Sequence, residues 1–120
     1  MIELSPTAAD AMLDVLSALM DGGNIELMAN NGRLLAVLKL SSPAAMAAVD
    51  GELEFNAIAE EDAALAQGNV ASARIVGAAG DELLTCDVGD ENSEAVIKLN
   101  TTKIYRGGPV RLTSFILAMP

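Results

Sequence analysis

Residues 103–120 read K-I-Y-R-G-G-P-V-R-L-T-S-F-I-L-A-M-P, and the fold class turns on them. Gly107-Gly108 supplies a turn, and Pro109 opens the next segment where no ladder N–H is yet needed. From Val110 to Met119 the only charge is Arg111. Alternation places Val110, Leu112, Ser114, Ile116 and Ala118 on one face, and Arg111, Thr113, Phe115, Leu117 and Met119 on the other. The second face begins polar and ends apolar, which predicts a long strand that leaves an open edge and enters a region covered on both sides. Such a strand belongs at the centre of a sandwich, added last to strands made earlier.

Working back from it, residues 102–105 form a short strand, 95–99 another, and 89–94 a polar loop. Residues 82–88 and 70–76 are two more strands, joined by the turn Gly77-Ala78-Ala79-Gly80-Asp81; in 70–76, Arg74 faces out beside the inward Ala73 and Ile75. Residues 60–68 are an acidic, alanine-rich connection that fits a short helix or a surface loop. Before it, Leu53, Phe55, Ala57 and Ala59 point one way while Glu52, Glu54 and Asn56 point the other, the pattern of a half-exposed antiparallel strand. Residues 41–50 read as a loop or short helical turn. Segments 24–29 and 33–40 flank Asn30-Asn31-Gly32, a hairpin signal of the Asn-Gly type. The second of them is apolar on both faces apart from Lys39, which predicts an interior strand.

Ser5-Pro6 marks a helix start, serine as N-cap and proline at the first helical position, and Gly22-Gly23 marks its end. In this helix, over about 5–21, Thr7, Asp10, Asp14, Ser17 and Asp21 form one narrow polar stripe. So wide an apolar remainder means cover on more than one side, all from the chain's own core or partly from a neighbouring subunit. One helix and about eight closely spaced strands make residues 1–120 a single mainly β domain, an antiparallel β-sandwich of jelly-roll type.

Composition narrows the function. Hydrophobic residues are 52% but aromatics only 2%, so the core is aliphatic. Seven basic residues, scattered, stand against 17 acidic ones, which argues against contact with nucleic acid. A mean hydropathy of +0.38 sits beside a net charge of −10. The charges keep a free subunit soluble; the apolar surplus reflects either obligate assembly or the inflating effect of alanine. Met1-Ile2-Glu3-Leu4 has no basic run of the secretory kind, and no apolar run approaches the ~20 residues of a membrane span. The expectation is a protein made in the cytoplasm, with no membrane partner.

Catalytic chemistry finds little purchase. Histidine is absent, so His-based triads and zinc sites are excluded, and the single cysteine, Cys86, reads as a small buried side chain. The loop 87–94 carries four carboxylates without EF-hand spacing and reads as a solvated turn. Glycines 77 and 80 lie between strands, not ahead of a helix, so they mark a turn and not a phosphate loop. Glu52 and Glu54 share one face of a strand about 7 Å apart, and without a cleft or aromatic platform they read as a charged outer face. No catalytic, cofactor or metal residue is assigned, and the chain is not expected to be an enzyme.

Several blocks carry a family likeness: Ala9-Asp10-Ala11-Met12-Leu13-Asp14-Val15-Leu16 with Gly22-Gly23; Leu34-Leu35-Ala36-Val37-Leu38-Lys39-Leu40-Ser41-Ser42-Pro43-Ala44; Gly68-Asn69-Val70-Ala71-Ser72-Ala73-Arg74-Ile75; and the close over 99–120. With these the chain resembles a family of small structural proteins encoded in the virion gene clusters of tailed phages and prophages. It departs from the family pattern at Ser72-Ala73, where an aromatic pair is usual, and in the short loop Asn30-Asn31-Gly32. The resemblance implies a β-sandwich virion protein, above all a head decoration or cement protein on the virion surface. Its partners would be the major capsid protein, copies of itself as a dimer or trimer, or both. Alternatives are a tail or baseplate component, or a carbohydrate- or protein-binding sandwich outside virions. Met1, Ile2 and Leu4, the helix positions Leu13 and Met20, and the loop residues Pro43, Met46 and Val49 are the expected interface.

Overall fold

A computed structural model of the chain describes residues 5–56, 58 and 64–118. One helix, α1 (Pro6–Met20), precedes eight strands: β1 (Asn24–Ala29), β2 (Leu34–Lys39), β3 (Glu52–Glu54), β4 (Gly68–Val76), β5 (Glu82–Asp90), β6 (Ile97–Leu99), β7 (Lys103–Ile104) and β8 (Leu112–Ala118). The chain is thus mainly β with a leading helix, as expected. The strands form one sheet in the order β2-β1-β4-β5-β6-β8-β3, and β7 pairs with the start of β4.

Every pairing of named strands is antiparallel except β5–β6, where Val88, Gly89 and Asp90 run parallel to Ile97, Lys98 and Leu99. The chain doubles back between them within residues 91–96. The Asp90 carbonyl accepts from the Ser93 N–H (3.2 Å) and hydroxyl (2.8 Å), and the Asp87 carboxylate accepts from the Val96 N–H at 3.1 Å. The acidic turn is therefore a built reversal, not merely a solvated loop. It passes close over Gly89, where a Cβ would lie 2.1 Å from the Ser93 Oγ.

Register shifts of one residue leave Leu35, Ala71, Leu83 and Thr113 as extra residues in their strands. Such bulges bend and twist a sheet. The resulting curl brings Leu35 and Leu38 of β2 into the same buried cluster as Phe115 of β8, with Ile25, Leu27, Ile75, Ile97 and Leu99 between them. The bulges also reset side-chain phase. Leu35 and Ala36 are neighbours in sequence and both buried. In β8 the bulge at Thr113 breaks the strict alternation. Val110 and Leu112 are followed on the inner side by Phe115 and Leu117, while Ile116 stays exposed. The strand is interior to the sheet, but its outer face is not covered as the alternation predicted.

The edges differ from expectation too. β2 is an edge strand, not an interior one. Its free edge is covered in part because residues 64–66 dock along it, Leu65 and Ala66 donating their N–H groups to the Leu35 carbonyl (2.8 and 3.3 Å). At the other end β3 is flanked by residues 44–49, with bridges Ala45–Phe55 and Val49–Glu52. Asp50 and Gly51 close this hairpin with φ of 53° and 76°, the two left-handed positions of a tight turn. Of the half-exposed strand expected here, Ala57 and Ala59 lie outside the described residues, while Leu53 is buried between exposed Glu52 and Glu54. Of the acidic connection, residues 60–63 lie outside the described residues and 64–67 form no helix.

Candidate association surface

The helix is built as its sequence predicts: the Ser5 Oγ accepts from the Ala8 N–H at 3.2 Å, Pro6 opens the first turn, and Gly22 follows the cap with φ 70°. Its orientation is the finding. Ala9, Leu13, Ser17 and Met20 face the core, and Leu13 packs with Ala45 and Leu53. The three carboxylates of the polar stripe are not left to water alone. Asp10 accepts from the Gly51 N–H at 2.7 Å, Asp14 from the Ala48 N–H at 2.8 Å and Asp21 from the Ala44 N–H at 2.7 Å. Three carboxylates thus tie the helix to the 44–51 segment, satisfying donors that the sheet edge would otherwise present.

With the acids turned onto that segment, apolar side chains are left outside. Met12, Val15 and Leu19 keep 51%, 64% and 56% of their surface. At about 100° per residue they lie roughly 150° round the helix from the carboxylates. Together with Ala8 they fall at spacings of four, three and four residues, the spacing by which a helix faces a partner helix. No charged residue belongs to this seam. Among the described residues the chain's own core covers α1 on one side only.

The expected interface residues fall into three sets. Met1, Ile2 and Leu4 lie outside the described residues. Leu13 and Met20 are 0% exposed and belong to the core, so they are not contact positions on the surface. The error is one of phase: a helix apolar nearly all round does not announce which side its own sheet takes. Pro43, Met46 and Val49 are exposed, all on the segment beside β3. Reasoning from sequence did not single out Met12, Val15, Leu19 and Ile116, which the structure leaves exposed. The four-three-four spacing was available as a signal for the first three, as was Asp50-Gly51 for the hairpin that carries Val49.

Other groups have structural explanations. Arg74 donates its Nε–H to Glu26 Oε1 at 2.7 Å across the β1–β4 pair, facing out as expected. Cys86 is half-buried; burial, and then the Asp87 carboxylate, push its thiol up to about 11. Among the described residues no group of three or more His, Cys, Asp or Glu side chains is placed to hold a metal ion, and no helix is long and apolar enough to cross a membrane. No family model, curated protein or solved structure matches the chain.

Proposed function

We propose that this chain is a structural virion subunit of a tailed phage, a head decoration or cement protein, which associates with copies of itself through α1 and reinforces the assembled shell. One observation supports it above the rest: an uncharged helical seam, Ala8-Met12-Val15-Leu19, on a chain of net charge −10. Two copies meeting beside β3, at Asp50, Glu52 and Glu54, or on the 87–94 turn would bring carboxylates together. On this one they need not, because Asp10, Asp14 and Asp21 are bonded to residues 44–51. The family resemblance of the 9–16, 34–44 and 99–120 blocks points to the same class.

A seam of four residues is small beside the ~800 Å² per partner of a standard stable interface, so a single pair of copies binds weakly. On a shell many such contacts act together, and linkage turns weak single contacts into strong overall retention. Contacts across capsomer boundaries are present only in the assembled state and therefore stabilise it.

Copy number tests the placement. Particles made by cells carrying the intact gene cluster should contain hundreds of copies per head, by quantitative mass spectrometry, and heads lacking the protein should open at lower temperature. A handful of copies per particle would make it a tail component, and none would remove it from the virion.

A further inference from the structure

We infer that the trough crossing β3 and β8 is a second docking site, for a segment of another protein that carries both apolar side chains and Lys or Arg. Two adjoining hollows form it, one against the 46–50 segment and one running to Ile58 and Leu112, and both are lined by Glu54 and Ile116. These two residues are directly opposite in the β3–β8 register, so the hollows meet over a cross-strand pair.

The chemistry of the lining selects the occupant. Met46, Val49 and Ile116 keep 54%, 64% and 46% of their surface and give it an apolar strip. Asp50, Glu52 and Glu54 stand exposed along the same trough, while among the described residues no Lys or Arg lines either hollow. Asp50 is held in place by the tight turn, in which Val49 and Glu52 exchange N–H to carbonyl bonds of 3.0 Å in both directions. A second copy meeting this one trough to trough would bring the same carboxylates against these, and an anionic membrane would be repelled likewise. A basic, apolar segment gains on both counts, because carboxylates beside a low-dielectric strip attract a cation more strongly than carboxylates in open water. The site goes beyond the α1 seam and does not depend on it.

The test is a titration of the isotope-labelled full chain with a synthetic peptide alternating Leu and Lys, following backbone amide shifts, beside Leu-Glu and Ser-Lys peptides. The Leu-Lys peptide should move amides of 46–56 and 112–116. It should bind at least about tenfold more tightly than either control, a difference of about 1.4 kcal/mol. Glu52→Gln with Glu54→Gln should weaken it about tenfold or more, and Ile116→Ser should weaken it too. Glu91→Gln with Glu94→Gln, equal in charge but on the distant turn, should leave it unchanged, as should Val15→Lys. All these positions are exposed, and the amide spectrum of each variant reports its fold. Four results would overturn the site: shifts on α1 or spread over the whole surface, an equal effect of the distant pair, equal binding of Ser-Lys, or equal binding of Leu-Glu.

Discussion

Asp10, Asp14 and Asp21 decide which way the helix faces. Each carboxylate accepts from a backbone N–H of the 44–51 segment, and the bonds to Gly51 and Ala44 are partly buried at 2.7 Å. A hydrogen bond to a charged group contributes about 1.5–3 kcal/mol, and its loss leaves a donor unpaired. Asp10→Ala and Asp21→Ala should each lower stability by about 1–3 kcal/mol, read as a lower urea midpoint at unchanged slope. Asp14→Ala should cost less, its bond being exposed. Cys86 supplies a pH signature. Its thiol is raised from 9.0 to about 11 by burial and Asp87. Below pH 9 it is protonated in both folded and unfolded chains, and its contribution is fully present. As pH rises from 9 to about 11 the unfolded chain ionises first, so stability falls through that window and then levels. The difference in urea midpoint between the protein and Cys86→Ala, followed from pH 8 upward, should change across that window. Alkylation of the folded thiol at pH 8 should be slow.

At the scale of elements, the β5–β6 reversal and the bulges set the sheet's shape. A Cβ on residue 89 would meet the Ser93 Oγ at 2.1 Å and its Cβ at 2.7 Å. Gly89→Ala should therefore cost about 1–3 kcal/mol, as overpacking does, a loss visible in thermal unfolding. Most elements were legible in the sequence, because helix caps, the Asn-Gly hairpin and alternating apolar residues are local signals. Bulges are not local. Thr113 reads as one more outward residue until Lys98 and Leu99, paired with Ser114 and Leu112 on either side of it, fix the register, and only then does Phe115 turn inward. Strand order has the same origin: β2, apolar on both faces, looks interior because the cover from residues 64–66 comes from beyond the strand. The helix was legible in extent but not in orientation, since its carboxylates find their partners 23, 34 and 41 residues away.

The whole molecule is a curled sheet with both ends guarded, β2 by residues 64–66 and β3 by the 44–49 segment that α1 in turn holds. Guarded edges leave side chains rather than strands to make contacts with other molecules. Two such surfaces stand out, an acidic trough and an uncharged helical seam, and we propose a basic partner for the first and a copy of the chain for the second. Sedimentation equilibrium on the protein and on Val15→Lys, from low micromolar to millimolar concentration, tests the seam most directly. Val15 is 64% exposed, so the variant should keep its stability within about 0.5 kcal/mol. The protein should gain mass with concentration while Val15→Lys stays monomeric. A wild-type chain that remains monomeric at millimolar concentration, or a variant that associates as well as the wild type, would contradict it.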